Sequence, residues 1–399
     1  MSDYRGGSVI TPRAVKYLRR YQYHGSDLSL LYKYFLSPLA EKCLIFLPSW
    51  MAPNVVTTIA LSLTTASYLM LYATAPGLVG SSDSTPDWVF PVAALGLFMY
   101  QTLDNMDGKQ ARRTGSSSPL GLIFDHGCDA INCCFGVVFV ACILDAGNNL
   151  PLLGAIMLNQ LVPFFFTTWE HYYTHELILP IINGPSEGVV LGAVCACLRG
   201  YYGAELFCSP IEALNGWTLG SALMAGSLFG VVITTIKQIV LVARARSAAN
   251  RSMLNPIRDA SCFVALVVLG CGWASLRPEL FSAAPYMMVL LFGLLHVDMA
   301  VHLMVCHVCN LVCRAFRPIL VPFLIVLANS AVPGGLLVSE KGLVWVFTLL
   351  TLSYEALYVY LVVTETSRAL DIYVFKLGKR SDNENAAAAQ NGGATKKVA

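Results

Sequence analysis

Long apolar stretches near 53–75, 89–111, 119–144, 151–173, 187–203, 217–242, 259–277, 284–312, 317–338 and 342–364 constrain this chain more than any other feature. Most reach the roughly twenty residues that an α-helix needs to cross the hydrocarbon core of a bilayer. At that depth the backbone has no water to bond, and a helix satisfies its N–H and C=O groups within one segment. The chain therefore reads as an all-α integral membrane protein with about ten transmembrane helices. The fifth and ninth stretches are interrupted by Gly or Pro and the fifth is short, so eight to ten spans fit the pattern. Of the 399 residues, 56% are hydrophobic and 13% charged, and mean hydropathy is +0.61, which excludes a water-soluble globule. The net charge of +2 points to no acidic partner, and no nucleic acid is expected to bind.

The N-terminus has no short apolar core followed by a small-residue cleavage site, so the first span is expected to direct insertion. Ahead of it, residues 27–47 (DLSLLYKYFLSPLAEKCLIFL) set apolar side chains against Lys33, Glu41 and Lys42. This segment reads as an amphipathic helix in the membrane interface, a packed helix being the alternative. Thirteen scattered cysteines read as small apolar residues. Cys306 and Cys309 form a single CxxC (CHVC), but it lies in a long apolar helix without a second pair, and His307 between them reads as a packed or cavity-facing histidine.

Basic residues set the orientation. Arg112 and Arg113; Arg244, Arg246, Arg251 and Arg258; Arg314 and Arg317; and Lys376, Lys379 and Arg380 all follow even-numbered spans. With Arg13, Lys16, Arg19 and Arg20 at the start, they define one side, expected to be cytosolic. Four parts follow: an N-terminal interfacial segment 1–50, a first group of membrane helices 51–203, further membrane helices 204–378, and a disordered tail 379–399 rich in Ala, Asn and Gly.

Against this apolar background, DNMDGKQARRTGSSSPLGLIFDHGCD places aspartates at 104, 107, 125 and 129. Carboxylates at membrane depth are costly unless they face a polar cavity, pair with a cation or bind a metal. Asp104 and Asp107 are i, i+3 near the end of one helix, Asp125 and Asp129 are i, i+4 near the start of the next, and each pair shares a face. Two facing helices would converge four hard oxygen ligands, a set suited to Mg²⁺ or Mn²⁺, and two such ions about 4 Å apart form a clamp for displacement at phosphorus. Gly108 and Ala111 allow close approach, and Arg112 and Arg113 offer cations to phosphate oxygens.

The fixed positions Asp-x2-Asp-Gly-x2-Ala-Arg-x8-Gly-x3-Asp-x3-Asp, running from Asp104 through Gly108, Ala111, Arg112 and Gly121 to Asp129, resemble the signature of the CDP-alcohol phosphotransferase family. YHGSDLSLLYKYFLSPL, LPSWMAPNVVTTIAL, DHGCDA and WEHYYTHELILPIINGPSEG look like its eukaryotic choline/ethanolamine phosphotransferase branch, with similarity up to about Gly378. The resemblance implies that Asp104, Asp107, Asp125 and Asp129 hold two magnesium or manganese ions. It gives nucleotide contacts to Gly108, Ala111, Arg112 and Gly121. The implied reaction is attack by the sn-3 hydroxyl of diacylglycerol on the phosphorus bearing choline or ethanolamine of CDP-choline or CDP-ethanolamine, with CMP leaving. It also implies a homodimer in the endoplasmic reticulum or Golgi membrane, among membrane lipids, with the site facing the cytosol.

For the general base, His126 is preferred because an imidazole titrates near operating pH, with Glu187 of NGPSEG orienting it if that loop folds back. Asp129 is the rival. Asn54, Glu170 and Asn183 are further candidates for substrate contact, Glu170 because a quaternary ammonium favours a carboxylate or an aromatic face. Trp169, Tyr172 and Tyr173 equally suit an interfacial aromatic belt. Asp298 and His302, four residues apart, read as a packed ion pair; His296, Glu355 and Glu365 are further polar groups at membrane depth. Two other functions stay open: a family transferase with another acceptor alcohol, and a cation-coupled transporter, against which the arginine pair and the one-sided aspartate cluster argue.

Overall fold

A computed structural model describes residues 9–82, 84–332 and 339–382. The expected tail therefore falls almost wholly outside the described residues, as does the end of the ninth stretch. In chain order the helices are α1 (Pro12–Leu18), α2 (Ser37–Cys43), α3 (Pro53–Thr74), α4 (Val89–Arg113), α5 (Pro119–Ile143), α6 (Leu150–Thr174), α7 (Val189–Tyr202), α8 (Glu205–Cys208), α9 (Leu219–Ala248), α10 (Leu254–Leu276), α11 (Pro278–Ala283), α12 (Pro285–Cys309), α13 (Leu320–Ser330) and α14 (Glu340–Leu370). Every expected span coincides with one of these. Seven, namely α3, α5, α6, α9, α10, α12 and α14, are long and apolar enough to cross a membrane. α4 matches them in length, but its last turns carry Asp104, Asp107, Lys109, Arg112 and Arg113. With 14 and 11 residues, α7 and α13 are too short to span at 1.5 Å per residue.

The expected single interfacial helix over 27–47 is instead broken. Residues Gly25–Asp27 form a strand, β1, a π-helical turn follows at Tyr32–Leu36, then α2, then a 3₁₀ turn at Leu44–Phe46. Side-chain hydrogen bonds compete with the helix here: Asp27 accepts from the Ser29 N–H at 2.8 Å, and Ser29 Oγ accepts from the Tyr32 N–H at 2.9 Å. Tyr34, Phe35, Ile45, Phe46 and Trp50 are nonetheless exposed, the apolar face that an interfacial segment needs. β1 pairs in parallel with β2 (Leu177–Leu179), in register Gly25 with Leu177 and Asp27 with Leu179. Among the described residues this pair is the one sheet in an otherwise helical protein.

α12 organises the bundle. Its most apolar stretch is 89% buried, as expected of a helix that is apolar all round. It packs on α5, α6 and α14, while α3 and α7 pack on α4. Gly293 permits the approach to α5, because a Cβ there would stand 2.6 Å from Cys134 Sγ. Contacts also gather the even-numbered exits on one face. The Arg19 side chain bonds the Ala369 carbonyl in the last turn of α14, Arg246 lies over Tyr173 at the end of α6, and Arg258 bonds the Cys313 carbonyl after α12.

Asp298 is fully buried and corrects one expectation. Its carboxylate takes a bidentate bond from Arg317 (Nε to Oδ2 and Nη2 to Oδ1, both 2.7 Å) rather than pairing with His302. A planar guanidinium satisfies both oxygens at once, which an imidazole four residues along the same helix cannot. Asp298→Leu alone should destabilise the protein by about 3–5 kcal/mol, by stranding Arg317, and the double variant Asp298→Leu with Arg317→Met should recover most of that loss. Reversible unfolding in detergent, run on both variants, tests it; equal stability of the single and double variants would contradict the pairing.

Candidate active site

α4 delivers Asp104 and Asp107 near its C-terminal end, and α5 returns after five residues with Asp125 and Asp129 near its start. Ser118 begins α5 by capping the Gly121 N–H at 3.2 Å, followed by Pro119 in the first turn. One oxygen each from Asp104, Asp107 and Asp125 lie within 4.8 Å of one another, and Asp125, His126 and Asp129 form a second group at the same spacing. The two groups share Asp125. All four aspartates and His126 are thus brought together.

Two hydroxyls orient this set. Thr57 of α3 donates to Asp107 Oδ2 at 2.5 Å, and Tyr100 of α4 donates to Asp129 Oδ1 at 2.7 Å. Tyr100 stands one turn before Asp104 on the same helix face, a spacing visible in the sequence; Thr57 comes from another helix and no spacing signals it. Asp104 Oδ1 and Asp125 Oδ1 are buried and have no hydrogen-bond partner among the described residues. Crowded carboxylates with unpaired buried oxygens repel unless a cation sits between them. These hard, oxygen-rich groups fit a divalent metal ion.

The surroundings are open where a substrate would need space. A Cβ on Gly108 would meet only Arg112 Nη1, at 3.7 Å, and one on Gly121 only Asn54 Oδ1 and Ser118 Oγ, both at 3.8 Å. Packing inside the protein does not demand glycine at either position. Ala111 is half-buried on the same end of α4, and Arg112 is exposed, with no ion pair or hydrogen bond among the described residues. Arg113, by contrast, is tied to the Leu44 and Leu47 carbonyls, and Lys109 to Ser37 and Glu41, fastening the interfacial segment to α4. Asn54 Nδ2 donates to the Val374 carbonyl at 3.0 Å, drawing the segment after α14 against the site.

Three other expected residues sit elsewhere. Glu187 does not hydrogen-bond His126; its two oxygens accept from Ser29 Oγ and, at 2.9 Å, from the Asn183 N–H. Asn183 is likewise occupied, accepting from the Ser186 N–H at 2.8 Å and donating to Asp27 Oδ1 at 2.9 Å. Both residues fasten the 183–187 loop to β1, and Gln101 of α4 donates to the Pro185 carbonyl. Glu170 is buried against α9, with Lys237 and Gln238 acting on its carboxylate.

A group of histidines and tyrosines completes the site. His126 lies within electrostatic reach of His171 and His307, whose rings are 4.0 Å apart. Both nitrogens of His171 are buried without a partner. Tyr21 bonds His307 Nε2 at 3.0 Å, and burial holds its phenol above the ordinary value. Tyr23 packs edge-on to His171 and its hydroxyl feels the charges of Asp125, Asp129 and Arg112. These tyrosines lie in an N-terminal segment roughly eighty to a hundred residues before the aspartates, where sequence offers no periodic signal.

The family model for CDP-alcohol phosphatidyltransferases matches residues 50–177, which contain all four aspartates. Choline/ethanolaminephosphotransferase 1 of Arabidopsis thaliana is 32% identical over 93% of this chain and 99% of that protein. The chain belongs to the CDP-alcohol phosphatidyltransferase family. Choline/ethanolaminephosphotransferase 1 of Saccharomyces cerevisiae is 29% identical over 94% of this chain and 99% of its own length. Ethanolaminephosphotransferase 1 of Mus musculus is 28% identical over 94% and 96% respectively. The family's enzymes act with divalent metal, and the carboxylate groups found here can bind one.

If Thr57 and Tyr100 hold the carboxylates in position, Thr57→Val and Tyr100→Phe should each weaken Mn²⁺ binding by about tenfold to a hundredfold while the protein stays folded. Titration with Mn²⁺ by electron paramagnetic resonance measures this directly, and unchanged affinity in both variants would remove the two hydroxyls from the site.

Proposed function

We propose that this enzyme transfers phosphocholine or phosphoethanolamine from CDP-choline or CDP-ethanolamine to the sn-3 hydroxyl of diacylglycerol, giving phosphatidylcholine or phosphatidylethanolamine and CMP. The convergence of four carboxylates from two membrane helices beside an unpaired arginine carries this reading. The activities for which the relatives aligned along nearly the whole chain are named support it.

In this proposal Asp104, Asp107, Asp125 and Asp129 hold two Mg²⁺ or Mn²⁺ ions, which when bound neutralise the diphosphate and stabilise charge on the departing phosphate. Arg112 binds phosphate oxygens, and Gly108, Ala111 and Gly121 give the nucleotide room against the backbone. His126 accepts the proton. Its Nδ1 faces Asp125 Oδ2 at 3.6 Å, a placement that favours the proton on Nδ1 and leaves Nε2 as the base. The sn-3 oxygen forms a bond to the phosphorus carrying the head group, the bond from that phosphorus to the bridging oxygen breaks, CMP departs with the electron pair, and the hydroxyl proton goes to His126 Nε2. Tyr100 keeps Asp129 oriented and bonded, so Asp129 is the less available base. Glu187 and Asn183 act by holding the 183–187 loop on β1, and Asn54 by seating the segment after α14.

The proposal extends to setting. The basic face is cytosolic, where soluble CDP-alcohols and CMP exchange, and the protein resides as a homodimer in the endoplasmic reticulum or Golgi membrane. Helices within 51–203 perform catalysis, and those within 204–378 brace them through α12 and α14.

Release of CMP by the purified protein in detergent tests the reaction, with diacylglycerol, Mg²⁺ and each CDP-alcohol in parallel. Release should require both lipid and metal and fall at least about a hundredfold in Asp107→Asn. Absence of release with either donor from folded protein would redirect the reading to another acceptor alcohol. The base has its own test. Because it must be deprotonated, kcat/KM should rise with pH through its titration. His126→Ala should abolish that ascending limb, whereas an Asp129→Asn variant that still binds Mn²⁺ should keep it; the opposite pattern would assign the base to Asp129.

A further inference from the structure

α12 ends at Asn310, whose left-handed conformation (φ 50°) reverses the chain. The Leu311 N–H returns to the Cys306 carbonyl at 2.9 Å. This closure brings Cys313 back against the last turns of α12, where His302 and Cys306 are i, i+4 on one face. One ligand atom from each of His302, Cys306 and Cys313 lies within 4.8 Å of the others, and all three residues are buried. The CxxC partner Cys309 is not part of this group.

We propose that His302, Cys306 and Cys313 form a zinc site separate from the carboxylate centre. The donor set is chemically opposite to that centre: two sulfurs and an imidazole suit Zn²⁺ and suit Mg²⁺ or Mn²⁺ poorly. Its spacing fits. Zn–S and Zn–N bonds in a tetrahedron put N and S about 3.5 Å apart, and His302 Nε2 stands 3.5 Å from Cys306 Sγ. His302 is already oriented for ligation. Its Nδ1 is bonded to the Tyr358 hydroxyl of α14 at 3.2 Å, and Nε2 accepts from the Arg314 N–H at 3.4 Å. Together these favour a proton on Nδ1, whose bond to Tyr358 is the second contact that ligating histidines ordinarily make, and a lone pair on Nε2 that exchanges its long contact with the Arg314 N–H for the ion when zinc binds.

Charge is consistent as well. Two thiolates neutralise Zn²⁺, the end of α12 presents carbonyls that favour a cation, and nearby Arg317 is already matched by Asp298. Access comes from a small cleft at the basic face, lined by His302, Cys313, Arg314, Asp259 and Cys262. Asp259 is held by Arg258 and Tyr173, so the fourth position falls to water from the cleft. Bound there, the ion fixes the 310–317 loop to α12 one residue from His307, whose ring contacts Tyr21 and His171 beside the carboxylate centre. Its role is structural, tying the end of the central helix to the wall of the site.

The test uses the full chain, purified in detergent with any affinity tag removed. Elemental analysis should find about one zinc per chain, retained in Cys309→Ser and in Asp107→Asn, and lost in Cys306→Ser and Cys313→Ser. Replacement of zinc by Co²⁺ should produce thiolate-to-cobalt charge-transfer absorption in the wild type, a reading that holds even if the cysteine variants fail to fold. Chelation should lower the unfolding temperature, and added Zn²⁺ should restore it. Zinc at background level in the wild type, cobalt without thiolate absorption, zinc retained by folded Cys306→Ser and Cys313→Ser, or a disulfide between these two cysteines would overturn the assignment.

Discussion

Four carboxylates crowded at the end of one helix and the start of the next repel one another, and the apolar helices around them withhold the water that would screen the charge. Much of the surrounding structure compensates for that cost. Thr57 and Tyr100 each donate a hydrogen bond to one aspartate. The unpartnered oxygens of Asp104 and Asp125 leave a deficit that a cation can fill. The short link between α4 and α5 keeps the two pairs facing each other, and α3 and α12 hold the helices that carry them. Because the arrangement is unfavourable without positive charge, binding of a cation and organisation of the site are linked events.

The carboxylate end of the bundle is also where distant parts of the chain meet. β1 pairs with β2, and Asp27 and Ser29 bond the 183–187 loop through Asn183, Ser186 and Glu187. Tyr21 and Tyr23 reach the histidines of α6 and α12, and Asn54 holds the segment after α14. The N-terminal segment, the loop after β2 and the segment after α14 thereby form a polar rim above apolar helices. Apolar side chains on α9 and α14, such as Phe229, Ile236, Leu350 and Leu357, are exposed, the surface that lipid would cover.

Periodicity made the helices legible, since an apolar stretch of about twenty residues and a fixed aspartate spacing are both local signals. Each of the ten stretches contains a helix among the described residues, and the four aspartates and His126 converge as their helix faces imply. Long-range partners were not legible. Asp298 could be matched by sequence only to its neighbour His302, whereas Arg317 reaches it after the reversal at Asn310. Glu187 suits His126 chemically only if its loop folds back onto it, and Ser29, 158 residues away, holds it instead. The 27–47 segment had a helical pattern, and side-chain bonds from Asp27 and Ser29 break it. In each case a contact created by folding outweighed a preference visible along the chain.

The same distinction separates CHVC from the cluster that forms beside it. Cys306 and Cys309 are three residues apart on α12, and a motif search pairs them. Helix geometry alone aligns Cys306 equally well with His302, one turn earlier, and the reversal at Asn310 then supplies Cys313 from the following loop. A ligand set of this kind depends on where a helix ends, which makes it invisible to any fixed spacing. It also places a structural constraint at the junction of α12 with the basic face, where His307 meets Tyr21. A helix buried on all sides has little freedom along most of its length, so the loop that follows it is the part that can move. Fixing that loop stabilises the contact between His307 and the N-terminal segment, and through it the wall of the carboxylate centre, without adding a group to the chemistry itself.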